Sequence, residues 1–227
     1  MQAMVFDLFE TLITEWPTPP HGVSKLAPVL GCEEQRDAFR AAWKARSLAV
    51  RTGRLSFRDA LRDIVTSLGG SPDEGTLQRV CEERIRAKAA PFDRIEPEII
   101  AMLDALRTRD VRIAVISNAC REDVTAWPAS ALASRVECAL FSFEAGVAKP
   151  DPAIYLEATR RLRVDPSETV YIGDGQDDEL AGAERAGLRA FKALWFASRW
   201  PHFREEDASS NVPRLRSIEQ IADLWRR

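Results

Sequence analysis

Hydrophobic and polar positions divide the chain into two regimes. The first apolar run, Ala3-Met4-Val5-Phe6, is short and unbroken and stops at Asp7, which predicts a buried strand ending in a carboxylate. Trp16-Pro17-Thr18-Pro19-Pro20 cannot extend a strand and reads as a linker. From about Val23 to Lys88 the spacing is helical throughout. Leu26, Val29 and Leu30 predict a short helix, and Phe39, Ala42, Trp43 and Leu48 predict one side of a longer one. Ser56-Phe57-Arg58-Asp59 has the form of an N-terminal cap before Leu61, Ile64, Val65 and Leu68. Gly69-Gly70-Ser71-Pro72 ends that helix, and Leu77, Val80, Cys81 and Ile85 mark a fourth.

Beyond Pro91 helices and strands alternate. Ile99, Met102, Leu103 and Leu106 form a helical stripe, followed by strands over 111–116, 138–141, 169–172 and 188–193. Helices are expected over 153–162, 178–186 and 218–225. Strands separated by helices imply a parallel sheet covered on both faces. The expected fold class is α/β, a Rossmann-like core over 1–15 and 89–227 interrupted by an all-α helical unit over 16–88.

Composition narrows the partners. The 227 residues are 45% hydrophobic and 30% charged, with a net charge of −3, so no concentrated basic surface for nucleic acid is expected. The arginines between Arg36 and Arg62 are interspersed with acids and read as a solvated helical face. No signal peptide or membrane-spanning run is readable. Cys32, Cys81, Cys120 and Cys138 are widely spaced without a CxxC pair, which suits small buried groups in a reducing cytoplasm. A small-molecule substrate is expected; monomer and homodimer are both compatible with the chain.

The polar groups of interest fall at strand ends, where open α/β sheets bind ligands. Strand one gives Asp7, and strand two ends in Ser117-Asn118. Lys149-Pro150 follows strand three, and strand four runs into Gly173-Asp174-Gly175-Gln176-Asp177-Asp178-Glu179. A carboxylate, a hydroxyl, a lysine and an acidic cluster thus converge from four strands. An acidic cluster of this kind suits Mg²⁺, a hard ion that takes carboxylate and carbonyl oxygens.

Asp7-Leu8-Phe9-Glu10-Thr11, Ser117, Lys149 and Gly173-Asp174, in that order and with helices inserted after the first, resemble the four motifs of the haloacid dehalogenase-like (HAD) hydrolases with a helical cap. The resemblance covers nearly the whole chain. It implies that Asp7 is a covalent nucleophile and that Ser117 and Lys149 act on the transferring group. Thr11, Ser117 and Asn118 would then contact substrate. Mg²⁺ would be held by Asp7, the carbonyl of Phe9 and Asp174, with Asp178 or Glu179 in support. One of that last pair reads equally as a helix N-terminal acid.

The family's first motif usually reads Asp-x-Asp-x-Thr, and here Phe9 replaces the second Asp. That acid normally protonates the leaving oxygen, assistance worth roughly 10²–10⁴-fold. Glu10 is one residue displaced and a doubtful substitute. Three functions follow: a Mg²⁺-dependent phosphohydrolase forming an aspartyl phosphate, a 2-haloacid dehalogenase forming an aspartyl ester, or a catalytically weak relative that binds a ligand or partner. Asp174 favours the first. Arg36, Arg40 and Arg46 are the dehalogenase's candidate carboxylate binders. Trp43, Arg46, Arg51 and Gly53 are candidates to face the cleft, although Trp43 also reads as helix–helix core and Arg51-Thr52-Gly53-Arg54 as a helix end. Trp195, Trp200, His202 and Phe203 edge the cleft, meet a dimer partner or, more simply, pack.

Overall fold

The computed structural model describes residues 1–18, 22–201 and 212–225. Six parallel strands form one sheet: β1 (Ala3–Phe6), β2 (Arg112–Ser117), β3 (Cys138–Phe141), β4 (Thr169–Gly173), β5 (Arg189–Ala193) and β6 (Arg214–Leu215). Their order is β3-β2-β1-β4-β5-β6, so β1 lies between β2 and β4, with Phe6 level with Val115 and Ile172.

Alternate side chains of a strand point to opposite faces, and both faces here are apolar. Met4 and Phe6 join Ile113, Val115, Val170 and Ile172 in one core; Ala3 and Val5 join Ala114, Ile116 and Tyr171 in the other. Helix α5 (Pro97–Arg107) covers the first face with Ile99, Met102, Leu103 and Leu106, and a terminal helix over Ile218–Trp225 adds Ile221. Helices α7 (Pro152–Leu162) and α8 (Glu179–Arg185) cover the second; between β3 and α7 lies α6 (Ser142–Ala145). The terminal helix has 3-10 rather than α geometry. β6 is two residues long, too short to leave an apolar period in the sequence.

Helices α1 (Leu26–Val29), α2 (Arg36–Arg51), α3 (Phe57–Ser67) and α4 (Glu74–Ala89) share a third core built on Phe39, Phe57, Leu61, Ile64, Leu77 and Val80. Ser56 caps α3 by accepting from the Asp59 amide, 3.0 Å away. One expected core position is overturned. Leu48 is 57% exposed, because the buried side of α2 runs through Phe39, Ala42, Trp43 and Val50 and turns Leu48 toward solvent. Among the described residues no helix is long and apolar enough to cross a membrane.

Gly182 shows how closely α8 approaches the loop after β3. A Cβ there would lie 2.7 Å from the Pro150 carbonyl oxygen and 2.9 Å from the Tyr155 hydroxyl. Gly→Ala inside a helix ordinarily stabilises by about 1 kcal/mol. At Gly182 we expect the opposite sign, a loss of about 1–3 kcal/mol from overpacking, read as a lowered Tm.

Candidate active site

Asp7 continues β1 past its last residue, with its amide donating to the Ile172 carbonyl at 2.8 Å. This anchors the carboxylate at the carboxyl edge of the central strand. β4 delivers Asp174 directly, and the turn that follows brings back Glu179, the first residue of α8. Lys149 arrives from the loop after α6 and ion-pairs with both Asp7 and Glu179; all three side chains are buried.

Two tyrosines complete this network. The Tyr171 hydroxyl donates to Glu179 Oε2 at 2.6 Å and accepts from Lys149 Nζ at 3.1 Å. The Tyr155 hydroxyl donates to the Glu179 carbonyl at 2.7 Å, and the Gly175 amide donates to Glu179 Oε1 at 2.9 Å. Both carboxylate oxygens of Glu179 are therefore engaged by the protein, one of them by Lys149 and Tyr171. Tyr171 and Tyr155 were invisible as site residues in the sequence, since each occupies an apolar position of a strand or helix. Their hydroxyl contacts exist only in the tertiary structure.

Charge is unbalanced here. Asp7, Asp174 and Glu179 offer carboxylate oxygens within 4.8 Å of one another, against the single ammonium of Lys149. Burial pushes the Asp7 carboxyl up to about 7; Lys149 pulls it down and Glu179 adds to the rise. Burial raises Asp174 well above the usual carboxylate range, reinforced by Glu179 and Asp7. Burial also opposes the charge on Lys149, but Asp7 and Glu179 outweigh it and hold the ammonium protonated. Carboxylates kept from ionising by burial and by each other are the donor set a hard divalent cation would relieve. Asp7 and Asp174 fit that role best, because Glu179 is already engaged. Asp178, by contrast, is exposed with φ of 54° and lies outside the cluster, which removes it from the expected ligands.

The remaining expected residues divide. Ser117 is buried at the end of β2 and lines a cavity of about 200 Å³ with Asp7, Phe9, Asn118, Lys149 and Asp174. The Asn118 amide accepts from the Lys149 amide at 2.8 Å and donates to the Lys149 carbonyl at 2.9 Å. Its side chain therefore clamps the lysine's backbone, while Asn118 still lines the cavity where a substrate contact is expected. Thr11 is fully buried with its hydroxyl 3.4 Å from Asp7 Oδ2, so it steadies the carboxylate and is shielded from any substrate. Glu10 also lines this cavity, with its carboxylate accepting from the Thr14 hydroxyl, the Glu15 amide and the Trp200 indole, each at 2.9 Å.

Among the helical candidates, Arg36 and Arg40 are exposed and bonded within their own helical turns to Glu33 and Asp37. Arg46 bonds the Ala42 carbonyl at 3.1 Å. Arg51 does reach the core, pairing with Asp177 at 2.6 Å. Thr52 and Gly53 end α2, Gly53 with φ of 70° against the Phe143 backbone. Trp43 meets Phe57 edge-on at 5.7 Å and also lines a second cavity. The Trp195 indole donates to the Thr11 carbonyl at 2.9 Å, so it packs beneath the Asp7 loop; His202 and Phe203 lie outside the described residues.

A family model described as haloacid dehalogenase-like hydrolase matches residues 1–187. The chain belongs to the haloacid dehalogenase-like hydrolases. It is similar to a glyceraldehyde 3-phosphate phosphatase of Methanopyrus kandleri, 53% identical over 49 residues that cover 22% of this chain and 21% of that protein. It is also similar to a phosphoserine phosphatase of Thermus thermophilus, 31% identical over 144 residues, 59% of this chain and 51% of that one. These matches span less than two thirds of either relative's length. Among solved structures, a 2-haloacid dehalogenase from Pseudomonas syringae pv. Tomato DC3000 superposes along 100% of this HAD hydrolase and 99% of its own chain, with 28% identity and a TM-score of 0.61.

Proposed function

We propose that this HAD hydrolase is a Mg²⁺-dependent phosphohydrolase of a small phosphorylated metabolite, acting through an aspartyl phosphate on Asp7. The observation that carries this is Asp174 standing with Asp7 and Glu179 against one ammonium. A haloacid displacement needs no second strand-end acid, and without a cation such an acid would oppose ionisation of the nucleophile. Mg²⁺ held by Asp7 and Asp174, with the Phe9 carbonyl a further candidate ligand, would shield phosphoryl oxygens and keep the carboxylates ionised. Lys149, fixed by Glu179, Tyr171 and the Asn118 clamp, offsets charge growing on the phosphoryl group. Ser117 donates to one of its oxygens. The helical unit over 16–88 acts as the cap that closes on the site and selects substrate. Localisation in the cytoplasm suits a metabolite substrate.

A second reading, the 2-haloacid dehalogenase, draws on Phe9 and on the whole-chain similarity to the Pseudomonas protein. The two separate in one assay. Phosphate release from para-nitrophenyl phosphate and acetyl phosphate is expected with Mg²⁺ and lost with EDTA. Metal-free halide release from 2-chloropropionate, with neither phosphate compound hydrolysed, would replace the phosphatase by the dehalogenase.

The carboxyl at Asp7 also links cation binding to pH. Its ordinary value is 3.8 and its folded value about 7, so between these pH values the folded state holds a proton the unfolded chain has released. Stability from this group falls as pH rises through that window, and the deficit is complete above 7. A cation at the site compensates only where the carboxyl must ionise. Mg²⁺ is therefore expected to raise Tm more at pH 8 than at pH 5, and Asp7→Asn to flatten that difference. Equal shifts at both pH values would contradict it.

A further inference from the structure

A phosphate ester of an alcohol poses a proton problem that the residues around Asp7 do not solve. When the bond from phosphorus to the ester oxygen breaks, its electron pair stays on that oxygen, and an alkoxide leaves slowly unless it receives a proton. The cavity at Asp7 adjoins a second one of about 310 Å³, with Phe9 and Asn118 lining both. Trp43, Val50 and Arg51 from α2, with Arg84 and Lys88 from α4, wall this second space. In-line attack by Asp7 expels the leaving group away from Asp7, and this adjoining space offers room for it.

Few groups lining the two cavities can give up a proton there. Asp174, Glu179 and Lys149 stand with Asp7 on the attacking side. Glu10 is held by Thr14, Glu15 and Trp200. Asp177 is engaged by Arg51 and Asn118, and Asp123 by Arg84 and Cys120. Burial pushes the Cys120 thiol up and makes it inert. Guanidinium groups do not deprotonate. Lys88, from α4, presents a proton-bearing ammonium to this second space. Its ammonium stands 4.5 Å from the centre of the Phe9 ring, pairs with Glu15 at 2.9 Å, and is only 12% exposed.

We propose that Lys88 is the general acid and base of this site, delivered by α4 over Phe9; the role rests on the phosphohydrolase reading. In the first half-reaction an Asp7 oxygen bonds to phosphorus, the ester bond breaks, and Lys88 gives its proton to the departing oxygen, leaving alcohol and a neutral amine. In the second, water attacks phosphorus and yields its proton to that amine. The products are inorganic phosphate, free Asp7 and the Lys88 ammonium, so protons balance. Glu15, paired with the ammonium at 2.9 Å, keeps the lysine in place over the Phe9 ring.

The competing explanation is that Lys88 and Glu15 merely hold the helical unit to the core. Leaving-group dependence separates the two. We would measure kcat/KM with Mg²⁺ for a panel of alkyl phosphates and for acetyl phosphate, whose leaving carboxylate needs no proton. Lys88→Met is expected to lower the alkyl phosphate rates about 10²–10⁴-fold and the acetyl phosphate rate less than about tenfold. Lys88→Arg, which keeps the charge and the ion pair but cannot transfer the proton, should be as impaired on alkyl phosphates as Lys88→Met. Adding Phe9→Asp to Lys88→Met should restore part of the alkyl phosphate activity. Equal losses on both substrate types, rescue by arginine, or a wild type that hydrolyses acetyl phosphate but no alkyl phosphate would each overturn the role of Lys88. A wild type inert toward acetyl phosphate as well would defeat the phosphohydrolase reading itself.

Discussion

Lys149→Met is expected to cost about 3–5 kcal/mol of stability, because it leaves the buried Asp7 and Glu179 carboxylates without their shared cation. The magnitude follows from burial: side chains exposed by 4%, 8% and 1% have no water to replace the lost ammonium. A surface pair of the same chemistry would cost a fraction of that. The second half of this expectation is a rescue. Glu179→Gln placed on Lys149→Met removes one orphaned charge and should recover part of the lost Tm, whereas Glu179→Gln alone should destabilise by undoing the contacts from Lys149 and Tyr171. Chemical denaturation of the four proteins, read as a double-mutant cycle, measures the coupling. Additive losses would show that Lys149 and Glu179 do not act as a pair.

Asp7→Asn is expected to lower turnover by at least about 10⁴-fold while the protein stays folded, since an amide cannot form the covalent intermediate. Its effect on stability should be small or favourable above pH 7. There the wild type must either ionise a carboxyl that burial has raised to about 7 or retain its proton. A loss of activity accompanied by unchanged or higher Tm is the combination that marks a site built for chemistry at the expense of stability. Activity within about tenfold of wild type would remove Asp7 from the nucleophile's role.

The parts of this molecule that could be read from sequence are those with a local signature. Ala3-Met4-Val5-Phe6 is a strand because four consecutive apolar residues, buried on both faces, have no other economical place in a parallel sheet. Asp7, Ser117, Lys149 and Asp174 were visible because each breaks such a run or follows one closely. What stayed hidden depends on tertiary contact. Tyr171 and Tyr155 sit on apolar stripes, and only folding brings their hydroxyls to Glu179. The side-chain amide of Asn118 is matched to the backbone of a residue 31 positions away, a contact with no local signature. Lys88 and Glu15 are ordinary surface types whose pairing across the helical unit carries no sequence period. Leu48 misled because helical spacing gives a stripe without saying where that stripe ends.

The central claim, covalent catalysis by Asp7 on a phosphoryl group, is open to direct chemical trapping. Acid-quenching the protein during turnover of acetyl phosphate with Mg²⁺, followed by peptide mass mapping, should find phosphate on the peptide carrying Asp7 and none in Asp7→Asn. Turnover that leaves that peptide unmodified, or that places phosphate on another residue, would contradict it.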